Sequence, residues 1–394
     1  IQEQSTTAHN YLRDGFYAPT RADELEAQGY TVNVTTGMED VTRRVLGAVN
    51  DKMTGLKRFN AIDAITKQIV AEAEKGGLVR CRVVPMFEGK QYIKHTTFEI
   101  RDVRIVYIPP EAIGNYGGET DNWMWPRHTG DFAFLRAYVG PDGAPAEFSR
   151  DNVPYQPRVY LPISAAGIAD GDLTMTIGFP GRTERYISSF DLANQADVTL
   201  PNSIHNAEND VRIIEEIGKQ DSVIALRTAD DLKGIYNRLK KNRGTVEGFK
   251  ANHVLDQKVR EERALADFLA SNPALQKPYG SVLPGLEALY REHRKTQVRD
   301  RRLERLGRTS DFHRFASDLY RWSVEREKPD QAREKGYQDR DTLNAKRRMK
   351  NAQTNLVPVV DRALFKSALG GLLDLPADQK VGVVETLFAG RTGA

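Results

Sequence analysis

The sequence predicts an α+β protein in which strands dominate the first half of the chain and helices the second half. Short runs rich in Val, Ile, Phe and Tyr, separated by turn signals, lie before about residue 190. After that point, apolar residues recur at three- and four-residue intervals, as in Phe312, Phe315, Leu319 and Trp322. We therefore predict a boundary near 185–200, with a β-rich domain over 1–190 and a helical domain over 191–394.

The β-rich part begins with two predicted helices. One helix carries its apolar residues on a single face, at Val41, Val45, Leu46 and Val49. The second helix repeats this spacing at Ile62, Ile65 and Ile69. The predicted strands are Leu78–Val84, Phe98–Pro109, Asp131–Val139 and Leu173–Phe179. Several short strands at such spacing suggest a barrel or a sandwich.

Composition excludes several classes of protein. With 394 residues, 40% hydrophobic and 28% charged, the chain is globular and long enough for two or three domains. No apolar run reaches the length of a membrane span. The chain starts at Ile1 and carries no signal peptide, so we expect a processed chain or a fragment. Cys81 is the only cysteine, which excludes an internal disulfide and a cysteine-rich metal site.

Cofactor and nucleic-acid chemistry have little support. The seven histidines never fall at two-, three- or four-residue spacing, so we predict no metal site. Neither a Walker sequence nor a strand-coupled Gly-x-Gly-x-x-Gly occurs, so we predict no nucleotide cofactor. The basic surplus in 291–350 alternates in sign with acidic residues, which is typical of solvated helix faces. We therefore predict no cofactor and no nucleic-acid partner.

The segment 117–132 has the most unusual composition in the chain. It reads Gly-Gly-Glu-Thr-Asp-Asn-Trp-Met-Trp-Pro-Arg-His-Thr-Gly-Asp-Phe. Strand interiors exclude proline, and loops that only turn the chain are built from Gly, Asn, Asp and Ser rather than from indoles. This mixture favours a loop that is shaped to hold a ligand.

Taken one by one, these residues leave alternatives open. Asp131 opens a predicted strand and is either a turn residue or a catalytic carboxylate. His128 is either bonded to loop backbone or catalytic. Trp123 and Trp125 either plug a core or form the wall of a pocket. Asn122 is either a turn residue or an acceptor for a cationic ligand.

A longer pattern resolves some of these alternatives. Residues 117–136, together with Asp102-Val103-Arg104 and the pair Pro109-Pro110, resemble the bacterial dipeptidyl-peptidase 7 and 11 family of serine exopeptidases. The family pattern Asp-Asn-Trp-x-Trp-Pro-Arg-His-Thr-Gly-Asp-Phe is matched at every fixed position, and the segments 144–146, 152–154 and 178–183 are also similar. The resemblance implies part of a chymotrypsin-like double β-barrel followed by a mostly α-helical inserted domain.

The resemblance also implies roles for individual residues. Asp131 matches the carboxylate of the catalytic triad, which orients a histidine and stabilises its imidazolium. Asn122 and Trp123 match residues around the free α-amino group of the peptide, and Asn237 matches an asparagine from the helical domain. The expected activity is release of dipeptides from peptides with a free N-terminal amine. A homodimer and a periplasmic or cell-surface location are expected from the same resemblance.

The chain departs from the family in the rest of the triad. The family histidine would precede Ile1, its serine would follow the helical domain, and no serine of this chain lies in a Gly-x-Ser-Gly setting. We therefore expect a fragment that is inactive by itself, with poorly buried apolar residues near its end, at Phe365, Leu369, Leu372 and Leu373. The alternative is a catalytically inactive homologue that binds peptides or acts as a scaffold. The side-chain preference at the cleaved bond cannot be read from these residues.

Overall fold

The computed structural model describes residues 1, 4–175, 184 and 186–389. All paired strands of this part are antiparallel. The strands are β1 (Phe16–Tyr17), β2 (Leu25–Glu26), β3 (Val32–Asp40), β4 (Arg80–Met86), β5 (Gln91–Ile100), β6 (Asp102–Ile108), β7 (Phe134–Val139) and β8 (Val153–Pro154).

Before residue 188 every described helix is short except Gly55–Ala73, whereas after it helices make up most of the described chain. The α-helices are α1 (Tyr11–Asp14), α2 (Thr42–Leu46), α3 (Gly55–Ala73), α4 (Glu111–Gly114), α5 (Gly118–Asp121), α6 (Ser189–Asn194), α7 (Leu200–Gly218), α8 (Ser222–Ala251), α9 (Val254–Ala270), α10 (Pro273–Tyr279), α11 (Val282–Arg294), α12 (Gln297–Thr309), α13 (Asp311–Arg326), α14 (Thr342–Asn355), α15 (Pro358–Leu373) and α16 (Gly382–Phe388). A π-helical turn, Gln195–Thr199, joins α6 to α7.

The chain forms two compact units, and each unit is discontinuous in sequence. The first unit comprises Ile1–Gly118, Arg127–Gln156 and Asp311–Val357. The second unit comprises Glu119–Pro126, Pro157–Ser310 and Pro358–Ala394. The predicted domains, 1–190 and 191–394, are continuous and so differ in extent from these units. An inserted helical domain stays a prediction about the longer protein.

The first unit is built on two antiparallel sheets. One sheet has the order β1-β6-β7-β8, with β2 also paired to β6, and the other has the order β3-β5-β4. α2 and α3 pack on the second sheet, where Val45, Ile69 and Tyr92 form a buried cluster. The two predicted helices are therefore present, and their apolar faces fill a core as the spacing indicates.

Strand β6 carries a buried ion pair. The Arg104 guanidinium donates to both carboxylate oxygens of Asp102, at 3.0 and 2.7 Å, and the Asp102 side chain is 0% exposed. Asn152 adds a donor to Asp102 at 2.9 Å, and Arg104 lies 3.8 Å above the centre of the Tyr138 ring on β7. The charges are thus paired and hydrogen-bonded, as burial requires. The network holds β6 against β7, which follows the loop of Asp131.

The second unit is helical. α7 and α8 form an antiparallel pair, and Asp221 caps the start of α8 by accepting from the Val223 and Ile224 amides. Further along, Leu372 of α15 packs with Leu375 and Val384 in a buried cluster.

Several predictions about the elements need correction. Leu372 is 1% exposed, so the expectation of a poorly buried chain end is wrong for this residue, because α12 and α16 cover it. β7 starts at Phe134 rather than Asp131, because the last pair that joins it to β6 is Tyr107 with Phe134. In the predicted strand Leu173–Phe179, residues 173–175 are not a strand, and the rest lies outside the described residues. The single predicted strand Phe98–Pro109 comprises the end of β5 and the whole of β6, and β1, β2, β3 and β8 were not predicted.

The α+β class, with antiparallel sheets before residue 190 and helices after it, is confirmed.

Candidate functional site

The predicted site residues fall into two groups. Asn122, Trp123 and Asn237 belong to the second unit, where they meet. Asp131 and His128 belong to the first unit.

The segment that carries Asn122 turns sharply. It follows the single turn of α5, and the Met124 amide donates to the Asp121 carbonyl at 3.0 Å. Trp123 lies in the left-handed region with φ 60°, which is uncommon for a residue with a large side chain. Such a conformation persists where the surroundings hold it in place. The Trp123 indole nitrogen supplies one such contact, because it donates to the Asn237 carbonyl at 3.1 Å.

The two asparagines are joined directly. Asn122 Nδ2 donates to Asn237 Oδ1 at 3.1 Å, across 115 residues of sequence. The same nitrogen donates to Glu119 Oε2 at 3.3 Å. Because both of its hydrogens are directed at these acceptors, Asn122 can meet a cationic ligand only through its amide oxygen. Asn237 is exposed on α8, so a ligand can reach the pair from solvent.

Lys240 holds the backbone of the two residues that precede Asp121 and Asn122. Its ammonium donates to the Glu119 carbonyl at 2.5 Å and to the Thr120 carbonyl at 2.7 Å. These carbonyls lie in α5, whose single turn leaves carbonyl groups without helical partners. Lys240 follows Asn237 by three residues, so both side chains lie on one face of α8. One helix face therefore contacts both the Asn122 side chain and the main chain of the two residues Glu119 and Thr120.

α8 is itself anchored to α7 beside the site. The Tyr236 hydroxyl donates to Glu215 Oε1, and Asn242 Nδ2 donates to Ser203 at 3.0 Å. The hydrogen bond to Glu215, followed by burial and the charges of Glu215 and Glu119, raises the pKa of Tyr236 to about 12. Tyr236 is therefore neutral at physiological pH and acts as a donor.

The tryptophans do not plug a core. Trp123 is 58% exposed and Trp125 is 92% exposed. The extended backbone that would place them on one face is absent, because Trp123 has a positive φ. Of the two predicted alternatives, the core plug is wrong, whereas the wall of a binding site stays a prediction.

Asp131 lies in an exposed loop before β7. The preceding Gly130 donates its amide to the Ile113 carbonyl at 2.9 Å, and a Cβ at Gly130 would meet Ile113 Cγ2 at 2.8 Å. A side chain at this position would therefore require the Ile113 side chain to move. After Asp131, Phe132 stacks on Tyr107 of β6 with ring centres 5.8 Å apart. Asp131 is thus held between a close backbone contact and an aromatic contact, with its side chain exposed to solvent.

The Thr129 hydroxyl shapes the same loop. It donates to the Tyr116 carbonyl at 2.9 Å and accepts from Arg127 Nε at 2.9 Å. His128, between these residues, is exposed.

In the described part of the chain, the geometry provides no reactive thiol, no metal site and no membrane-spanning helix. Cys81 is 3% exposed, and burial, followed by the charge of Glu74, raises the pKa of its thiol. A thiol with a raised pKa is a poor nucleophile. Among the described residues, no group of three His, Cys, Asp or Glu side chains is placed to hold a metal ion. None of the described helices is long and apolar enough to cross a membrane.

Comparison with known proteins identifies the family. The model of the Peptidase S46 family matches residues 1–394. The chain belongs to the peptidase S46 family. The resemblance in the segment 117–136 is therefore confirmed, and it extends over the whole sequence.

Curated relatives of this S46 chain are dipeptidyl-peptidases. An Asp/Glu-specific dipeptidyl-peptidase of Shewanella putrefaciens is 34% identical over 377 residues, which are 95% of this chain and 51% of the relative. Dipeptidyl-peptidase 7 of Porphyromonas endodontalis is 37% identical over 295 residues, which are 74% of this chain and 35% of the relative. The chain spans about half or less of the length of these relatives.

A solved structure shares the fold of the S46 chain. Porphyromonas endodontalis DPP11 in complex with the dipeptide Arg-Glu aligns with a TM-score of 0.76 at 24% identity, covering 98% of this chain and 56% of that one.

Two residues that contact the segment around Asn122 were not predicted, namely Glu119 and Lys240. Glu119 lies inside the unusual segment, and Lys240 follows Asn237 at helical spacing, which is the signal that could have found it.

Proposed function

We propose that the protein containing this chain is a serine-type dipeptidyl-peptidase that releases dipeptides from the free N-terminus of peptides. In this proposal Asn122, Trp123 and Asn237 bind the substrate α-ammonium, and Asp131 is the carboxylate of the catalytic triad. The triad histidine and serine are proposed to lie outside residues 1–394. The names of the S46 relatives support the reaction class.

One observation carries the proposal for amine binding. Asn122 and Asn237, which are far apart in sequence, are joined by a hydrogen bond of 3.1 Å on a face that solvent reaches. An ammonium group needs acceptors at fixed positions, and amide oxygens that are held by other contacts lose little entropy on binding. The Trp123 contact with the Asn237 carbonyl and the Lys240 contacts with α5 supply that rigidity.

The same binding mode explains a dipeptide product. A site that holds the N-terminal ammonium at a fixed distance from the reacting serine selects one peptide bond, counted from the end of the chain. Asp131 would orient the histidine that takes the serine proton and would stabilise the imidazolium. A homodimer and a periplasmic or cell-surface location complete the proposal and rest on the family resemblance.

The proposal is tested with a fluorogenic dipeptide reporter, carrying either a free amine or an N-acetyl cap. The full-length protein should cleave the free reporter with a far higher kcat/KM. Removing one partner of a charge-assisted hydrogen bond costs about 1.5–3 kcal/mol, so Asn122→Ala should lower kcat/KM for the free reporter by about one to two decades. Asn202→Ala, at an exposed position of α7, is the matched control and should have no effect.

Equal rates on the free and capped reporters in the parent would contradict amine recognition and indicate an endopeptidase. No hydrolysis of either reporter by the intact full-length protein would favour a peptide-binding homologue.

A further inference from the structure

Glu119 brings a carboxylate into contact with the asparagine pair, through Asn122. Its carboxylate oxygen Oε2 accepts from Asn122 Nδ2 at 3.3 Å. Within the described residues, this half-buried carboxylate forms no ion pair with a Lys, Arg or His side chain. A charge that is partly removed from water and lacks a counter-ion destabilises a protein. The same arrangement becomes favourable when a ligand brings the cation.

Lys240 follows Asn237 by three residues on α8, and among the described residues its ammonium forms no ion pair with the Glu119 carboxylate. Its ammonium donates to two main-chain oxygens, those of Glu119 and Thr120. These bonds fix the backbone of Glu119, while the Asn122 amide orients its carboxylate. The carboxylate is thus held in place before any ligand arrives, which lowers the entropy lost on binding.

A second carboxylate strengthens the negative field. Glu215 accepts from the Tyr236 hydroxyl, and the charges of Glu215 and Glu119 both act on Tyr236, the residue before Asn237. Neutral amide oxygens can accept hydrogen bonds from an ammonium or from a neutral hydroxyl. Hydrogen bonds in which the donor or the acceptor is ionised are roughly twice as strong as neutral ones, and an ammonium that meets a carboxylate gains the attraction of opposite charges in addition. A carboxylate at this position would therefore select a charged amine over a neutral group of the same shape.

We propose that Glu119 pairs with the protonated α-amine of the peptide substrate and so sets the requirement for a charged N-terminus. The inference rests on the proposed function, in which Asn122 and Asn237 contact the same ammonium. Asn122 then has two tasks: its amide nitrogen orients Glu119, and its amide oxygen accepts from the substrate.

The test compares two dipeptide reporters in the full-length protein, one with the α-amine and one with a neutral hydroxyl in its place. The parent should prefer the amine reporter. Glu119→Gln keeps the shape and an acceptor oxygen but removes the charge, and it should lower kcat/KM for the amine reporter by about ten- to a hundredfold, mainly through KM. The hydroxyl reporter should change by less than about threefold, because it brings no charge.

Two further variants test whether the effect comes from the charge of Glu119. Glu119→Asp retains the charge on a shorter side chain and should keep part of the preference for the amine. Glu216→Gln removes an exposed carboxylate of α7 that is paired with Arg212, and it should leave both reporters unchanged. Thermal unfolding of each variant shows whether it is folded.

The outcomes distinguish the charge pairing by Glu119 from the proposed function itself. If the parent prefers the amine reporter and Glu119→Gln keeps that preference in full, the charge pairing is wrong and the proposed function stands. An equal loss on both reporters would assign Glu119 a purely structural role and overturn the inference. A parent without preference for the amine would contradict the proposed function itself.

Discussion

The buried pair of Asp102 and Arg104 allows a prediction whose size follows from the structure. Arg104→Met keeps much of the side-chain volume but removes both donors to Asp102. The carboxylate, which is 0% exposed, would keep the Asn152 amide as a donor. Breaking a buried pair by removal of one partner costs about 3–5 kcal/mol. That is a large fraction of the roughly 5–15 kcal/mol that stabilises a folded domain.

The measurement is urea-induced unfolding of the purified chain, followed by circular dichroism. The unfolding midpoint should fall for Arg104→Met without a change in the slope of the free energy against urea. Arg212→Met is the matched control, because its pair with Glu216 has both side chains 58% exposed. Exposed pairs contribute about 0–1 kcal/mol, so this variant should unfold near the parent midpoint.

A double variant isolates the role of the charge. Adding Asp102→Asn to Arg104→Met removes the uncompensated carboxylate, so the double variant should be more stable than Arg104→Met. The reasoning is refuted if Arg104→Met costs less than about 1 kcal/mol, or if the double variant is the less stable of the two.

Two other predictions concern catalysis and acid stability. In the full-length protein, Asp131→Asn should lower turnover by roughly four orders of magnitude with almost unchanged stability, and near-normal turnover on the dipeptide reporter would remove Asp131 from the triad. The bidentate contact with Arg44, followed by the Gln68 amide, lowers the pKa of Glu72 from 4.5 to about 2. A carboxyl whose folded pKa is lowered stabilises the fold above its unfolded pKa and loses this contribution as pH falls, here between about 4.5 and 2. Glu72→Gln should therefore flatten the pH dependence of the free energy of unfolding in this window, and an unchanged acid limb would contradict the assignment.

Local patterns in the sequence predict the helices well and the strands in part. The spacing of Val41 and Val45, and separately of Ile62, Ile65 and Ile69, predicts two helices because a period near 3.6 places the apolar side chains of each helix on one face. β3 was missed because Val32–Asp40 mixes Thr, Asn and Gly with few large apolar residues, and most of its residues are exposed. Strand formation there depends on pairing with β5, which a local pattern does not contain.

The site was predictable only through the family pattern. Composition marks the segment 117–132 as unusual. It does not predict the contact between Asn122 and Asn237, because the two residues are 115 positions apart. The burial of Leu372 was mispredicted for a similar reason, since its cover comes from α12 and α16. Contacts across long sequence separations are set by packing and leave no periodic signal in the chain.

The membership of Glu119–Pro126 in the helical unit has a consequence for dividing the protein. A split-protein design that cuts once near residue 190 would place Asn122 on one piece and Asn237 with Lys240 on the other. Neither piece would hold the contacts that shape the turn at Trp123, so the two would have to reassociate before Asn122 could meet Asn237. A helical piece that contains both asparagines would instead need the segment Glu119–Pro126 to be supplied to it, for example as an added peptide that binds to α8.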